Sequence, residues 1–144
     1  APEHLDNTLK SVERIAHFNG FDSFIMFNLY PQRATDPDDM EKTCNAYLHT
    51  ENCKAFEYAL NLSETGNTPA VWAAWGAIIE KRRYLFECVG DMVKIGQKYG
   101  VNWFTAGKRS KVGHPHHPLY LPKDSLLEPF DPIPYIDTFL APTL

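Results

Sequence analysis

Three histidines stand within four residues, at His114, His116 and His117, interleaved with Pro115 and Pro118. Imidazole changes charge near neutral pH, so such a group can exchange protons or, when protonated, donate to a phosphate. The prolines restrict the backbone and leave the rings less freedom to lose on ordering. The plainer alternative is a rigid surface loop ahead of an extended segment. Just upstream, Lys108, Arg109 and Lys111 place three cations in four residues of a chain whose net charge is -4. That patch suits a phosphate of a nucleotide or nucleic acid, or it is a solvated turn. A tight metal site needs three or four converging ligands. His-x-His-His could supply two, with Asp36, Asp38 and Asp39 joining in space, but neither HExxH nor CxxC accompanies them. Cys44, His49 and Cys53 are spaced more loosely still and read as partly buried side chains. No metal and no cofactor is expected.

Other candidates lie in two further loops. Asn28 ends an apolar run and could read a base edge or an amide through its paired donor and acceptor, or cap the loop. Arg33 and Asp36 in Arg33-Ala34-Thr35-Asp36 could hold a ligand or pair with each other. Gly76 would let a ligand approach the backbone, or serve a tight turn, and the helix after it would offer unpaired amides to an anion. Tyr30 and Tyr120 are the loop tyrosines suited to stacking on a base, whereas Trp72 and Trp103 read as core. The chain contains no GxSxG, GxxxxGK[ST] or GxGxxG, which excludes a standard hydrolase elbow, P-loop or dinucleotide fingerprint.

The elements that must position these residues follow from hydrophobic spacing. Leu5, Leu9, Val12 and Ile15-Ala16 predict a first helix stopped at Asn19-Gly20. Phe24–Phe27 is a continuous apolar run that predicts a strand covered on both faces. Phe56, Ala59 and Leu60 predict a helix starting near Thr50, with Thr50 or Asn52 as cap. Ala70–Trp75 reads as a second buried strand. A long helix is predicted from about Ala77 to Tyr99, with Ile78, Leu85, Val89, Met92, Val93 and Ile95 inside and with Gly90 and Gly96 weakening or breaking it. Asn102–Thr105 predicts a third strand. From Glu128 the tail carries Pro129, Pro132, Pro134 and Pro142 and is expected to lie extended over the surface. Strands alternating with helices imply an α/β fold: three layers around a short central parallel sheet. Ligands of such sheets bind beyond the carboxyl ends of the strands. The loops leaving those ends, 28–39, 75–77 and 106–122, carry all the residues proposed above for ligand contact.

The 144 residues suit one domain, with residues 126–144 as its Pro-rich tail. The composition, 44% hydrophobic and 22% charged, is ordinary for a globular chain. Three cysteines without CxxC spacing fit a reduced, cytoplasmic setting better than a disulfide framework. Neither a membrane span nor a secretory leader is expected. Oligomeric state is not legible.

The segments FIMFNLYPQRATDPDDM, VWAAWG and KVGHPHHPLYLP resemble the recurring blocks of the bacterial and phage DUF1643 family, over about Asp6 to Pro122. That family is largely uncharacterised. More distantly, strand–WG–helix followed by strand–basic loop–HP is similar to the plan of the uracil-DNA glycosylase superfamily, in which an HPSPLS-like loop contacts DNA. His114–Leu119 would be its counterpart. DUF1643 proteins usually begin with a strand ending in Asn-Pro-Ser, whereas this sequence starts at Ala1-Pro2, so that strand and loop are expected to be missing. The resemblance implies a DNA- or nucleotide-related domain, with base excision as the reaction if it is an enzyme. Catalysis would then rest on Asp36, His114 and His116, and binding on Asn28, Tyr30, Arg33, Gly76, Lys108, Arg109, His117 and Tyr120. The competing readings are a binding module without chemistry and a small-molecule or metal-dependent enzyme.

Overall fold

A computed structural model describes residues 2–29, 42–62 and 68–140, with side chains from residue 7 onward. The expectations for Tyr30, Arg33 and Asp36 therefore lie outside the described residues.

The first helix, α1 (Pro2–Phe18), forms as predicted and buries Thr8, Val12, Ile15 and Ala16, whereas Leu9, expected inside, is exposed. It stops at Gly20, whose φ of +90° is the left-handed conformation that glycine adopts without a Cβ penalty. The amides of Gly20 and Phe21 there bond back to the His17 and Ala16 carbonyls. Asn19 docks this end onto the distant segment 125–127. Its Nδ2 donates to the Ser125 carbonyl at 2.9 Å, and its Oδ1 accepts from the Leu127 amide at 2.9 Å.

Among the described residues Phe24–Phe27 pairs with no strand, contrary to the expectation. Phe24, Ile25 and Met26 are exposed, and Phe27 packs edge-on against Phe56 at 5.6 Å. An apolar run specifies burial, but a ladder needs a neighbour that supplies hydrogen bonds. Helix α2 (Ala46–Asn61) begins earlier than predicted, because Asn45 is its cap: Oδ1 accepts from the Leu48 amide at 3.2 Å.

The sheet is small and mixed, with order β1-β2-β3, where a parallel one was expected. Strand β1 is only Ala70–Trp72, shorter than predicted, and pairs in parallel with β2 (Asn102–Ala106) in the register Ala70–Asn102 to Trp72–Phe104. Strand β3 (Leu127–Pro129) returns antiparallel along β2, with Thr105 opposite Glu128. Helices and sheet together make a mixed α/β fold.

The single long helix predicted after β1 is two elements. Gly76–Lys81 is a 3-10 helix; Arg82 is extended; α3 then runs Tyr84–Lys98. The break shifts the helical phase, so Ile79 is fully buried and Ile78, expected inside, is exposed. Gly90 and Gly96 do not interrupt α3. They are points of close approach: a Cβ on Gly90 would meet Leu140, and one on Gly96 would lie 2.7 Å from Val101 and 2.8 Å from the Trp103 indole. A stiff valine and a packed ring cannot step aside cheaply. We expect Gly96→Ala to lose about 1–3 kcal/mol to overpacking despite alanine's better helix propensity. A urea midpoint equal to or above that of the parent protein would show the expectation wrong.

The tail is not extended throughout. Pro132–Leu140 forms α4, with Asp131 accepting from the Ile133 amide at 3.0 Å. Asp followed by Pro at the first helical position is a start signal that the proline content concealed. This helix closes the main core, in which Tyr135 and Ile136 join Ala73, Ile79, Leu85, Phe86, Cys88, Val89, Val93 and Phe130. A second cluster (Phe56, Leu60 and Met92, with Val71 and Trp103 against it) seats α2.

Candidate functional site

The loop after β2 and the turn after β1 meet as their strand-end positions predict. The Gly76 amide donates to the Pro115 carbonyl at 3.0 Å. Gly76 has φ +64°, and a Cβ there would sit 3.3 Å from His117 Cβ. Glycine is thus required for the turn and for the close approach of the histidine loop. Ser110 fixes the near side of that loop: its Oγ accepts from the His114 amide, and its own amide donates to the His114 carbonyl, both at 3.0 Å.

His114 is buried, with 1% of its surface exposed. Its Nδ1 lies 2.6 Å from the Tyr135 hydroxyl and its Nε2 3.0 Å from Glu80 Oε1. The Trp75 indole N–H reaches the same hydroxyl at 3.0 Å. An indole can only donate, so the Tyr135 oxygen accepts from it. The phenol proton then donates to His114 Nδ1, and His114 Nε2–H donates to the Glu80 carboxylate. A directed chain therefore runs from Trp75 through Tyr135 and His114 to Glu80, whose side chain is 54% exposed. Phe139 stacks on the imidazole at 5.2 Å, and Phe86 lies 6.2 Å away. His114, expected to contact ligand as a catalytic group, is thus enclosed in the core and couples three segments of the chain.

Burial pushes the Tyr135 phenol up to about 12, outweighing the Trp75 hydrogen bond and the charge of Arg109; Glu80 adds to the rise. Burial likewise raises the Cys88 thiol to about 12. Both groups hold their protons more tightly when folded. Their contribution is complete below the ordinary values of 10 for tyrosine and 9.0 for cysteine, and it is lost as pH rises through the folded values. We expect the denaturant midpoint to fall between about pH 9 and 12, and Tyr135→Phe to remove part of the fall above pH 10. A midpoint flat to pH 12 would contradict this.

On the other side of Tyr135 lies a cleft of about 520 Å³. Lys108 and Arg109 line it beyond the end of β2; Glu128 and Asp131 face it from the returning segment, and Tyr135 and Phe139 from α4. The Arg109 guanidinium lies 5.3 Å over the Phe130 ring, which orients it through the face of the π system. His116 packs behind Gly107, a lining residue, without lining the cleft itself: a Cβ on Gly107 would lie 3.6 Å from the His116 ring. His116 Nδ1 donates to the His117 carbonyl at 2.6 Å, which leaves Nε2 as the ring nitrogen available to a ligand. His117 Nδ1 accepts from the Leu119 amide at 3.2 Å.

The structure thus gathers Gly76, Lys108, Arg109, His114, His116 and His117 at one end of the sheet. Tyr120 lies past them, 88% exposed with φ +69°. Asn28 sits apart and exposed, its carbonyl accepting from Asn52 Nδ2 of α2 at 2.9 Å. Glu80, Trp75 and Tyr135 were missed as members of the site. Glu80 lay in what read as a plain helix, and Tyr135 in a tail read as surface packing; no local spacing links either to His114. Among the described residues no group of three or more His, Cys, Asp or Glu is arranged to hold a metal ion, and no helix is long and apolar enough to cross a membrane.

The family described as protein of unknown function DUF1643 matches residues 1–119. The chain belongs to the DUF1643 family. No curated protein and no solved structure matches it. The DUF1643 match includes Trp75, Glu80, the cationic turn and all three loop histidines. Tyr135, which joins Trp75 to His114, stands beyond the matched stretch.

Proposed function

We propose that this DUF1643 protein binds a phosphate-bearing ligand, a nucleotide or a strand of nucleic acid, in the cleft between the loop after β2 and α4. The observation that carries the reading is the placement of Lys108 and Arg109 on a cleft at the carboxyl end of a strand, where α/β sheets bind ligands. The cations would take phosphate. Glu128 and Asp131 across the cleft would accept from the N–H groups of a base, and the edges of Phe130, Tyr135 and Phe139 would give it an apolar floor. His114 is a positioning residue in this reading: it holds Tyr135 and the histidine loop without touching ligand.

The base-excision form of the proposal rests on His116, whose Nδ1 is committed to the backbone so that Nε2 would stabilise a leaving base. Asp36 would position water. A fluorescence titration with single-stranded DNA, duplex DNA and nucleoside phosphates at several salt concentrations tests the binding. Affinity for one of them should fall as salt rises, with a slope set by the phosphates contacted. Saturable binding to none of them would refute the proposal. Excision from a bound strand, lost in His116→Ala but not in a variant that merely weakens binding, would support the catalytic form; binding without turnover would leave a recognition module.

A further inference from the structure

Thr105, on β2, is a polar side chain buried in the wall of the cleft, with 5% of its surface exposed. Its hydroxyl makes no hydrogen bond among the described residues, yet it is not sealed off as the Trp72 indole nitrogen is. A buried hydroxyl left unpaired costs stability, so such a group points to a partner that arrives with a ligand. Glu128 stands directly opposite Thr105 in the β2–β3 ladder. The two side chains therefore share one face, with Cβ atoms about 4.5–5.5 Å apart. Glu128 also lines the cleft and forms no ion pair among the described residues. Asp131 is partly committed already, since it accepts from the Ile133 amide. Thr105 and Glu128 thus offer a row of one hydroxyl donor and two carboxylate acceptors, in a cleft that Lys108 and Arg109 also line.

We propose that the nucleotide held in this cleft is a guanine one, free or as an unpaired residue of a strand; the inference rests on the phosphate-binding reading above. The Watson–Crick edge of guanine presents an acceptor, O6, followed by two adjacent donors, N1–H and N2–H. Glu128 accepts from both donors through its two oxygens, and the Thr105 hydroxyl donates to O6. The other common bases do not fit this row. Adenine and cytosine each set a ring-nitrogen acceptor beside their amine, and uracil flanks its N–H with two carbonyls, so Glu128 would face a lone pair in each. Asp131 repels phosphate from this end and leaves it to Lys108 and Arg109. The cavity, about 520 Å³, lies within the roughly 300–1,000 Å³ usual for small-ligand sites.

The test is a calorimetric titration of the whole chain with GMP, IMP, AMP, CMP and UMP, and with oligothymidylate carrying or lacking one central guanine. GMP should bind about tenfold or more tighter than AMP, CMP and UMP, the worth of a charged hydrogen bond. IMP, which lacks the N2 amine, should fall between. A guanine preference seen only among the oligonucleotides would assign the same recognition to a strand. Glu128 is exposed, so Glu128→Gln leaves the core intact; it should bring GMP towards AMP while the salt dependence stays, because the phosphate contacts are untouched. Thr105→Val removes a hydroxyl that has no protein partner; it should keep the urea midpoint of the parent and still weaken GMP. Equal affinity for all the nucleotides, with salt dependence intact, would overturn the guanine inference and leave the phosphate-binding cleft standing. A guanine preference unchanged in both variants would overturn it as well. Binding of none of the probes would remove both readings.

Discussion

Replacing His114 by alanine should cost about 3–5 kcal/mol of stability, the range for deleting a buried ring with hydrogen-bonding partners left behind. The side chain touches Phe86, Tyr135 and Phe139, and both of its nitrogens are engaged. Its removal leaves a cavity among these rings and deprives the Tyr135 hydroxyl of its acceptor. The Glu80 end is less sensitive, because that carboxylate remains exposed to water. His114→Phe keeps a flat ring against Phe139 but offers no acceptor to Tyr135, so about 1–3 kcal/mol should still be lost. Urea unfolding measures both. If the alanine variant unfolds within about 0.5 kcal/mol of the parent, a spread typical of inert surface changes, the coupled network is not a structural keystone. The same experiment separates the loop histidines. His116→Ala, beside Gly107 and with one backbone hydrogen bond, should fold normally, and any functional loss it shows can be read as a site effect.

The second large effect concerns the cleft. Changing Lys108 and Arg109 together to glutamine should weaken a phosphate-bearing ligand by roughly a hundredfold, since each charged hydrogen bond is worth about 1.5–3 kcal/mol and the neutral one an amide can keep about 0.5–1.5 kcal/mol. Neutral amides are chosen so that no repulsion inflates the loss. The salt dependence should flatten along with the affinity, because fewer counterions are released. Lys111 in the same basic run does not line the cleft and makes the control: Lys111→Gln should change binding by less than about threefold, in line with the small worth of exposed charges. Equal losses from Lys111 and from the Lys108–Arg109 pair would mean that the ligand sees only a diffuse positive surface.

The sequence was most legible where one residue type has one physical use. Asn19-Gly20 ended α1 because only a residue without Cβ turns left-handed at little cost. Val89 and Val93 lay inside α3 because spacing alone decides the face. Gly76, Lys108 and His116 converged because strand ends of a parallel pair point the same way. Reading failed where the outcome depended on a partner far along the chain. Phe24–Phe27 had the composition of a strand and no ladder among the described residues. Pro132 and Pro134 suggested an extended tail, yet Asp131 had started a helix. His114 looked like an exposed reactive group because nothing in His114–Pro118 announces Tyr135, twenty-one residues later in the chain. Glu80 was hidden by the same distance, and by a break at Arg82 that apolar spacing does not reveal.

The return of the chain through β3 and α4 bears on how the protein is made. The main core needs Tyr135 and Ile136 from α4 alongside Ala73 and Ile79, and the Trp75 indole N–H donates to Tyr135. During synthesis, α1, α2 and α3 leave the ribosome well before those residues do. A nascent chain holding everything through β2 still lacks the α4 side chains that join Phe86 and Val89 in the core. It must wait with that surface open, so the interval before α4 emerges is when this protein has most need of a chaperone, and slower decoding of the stretch between β2 and α4 would lengthen the exposure.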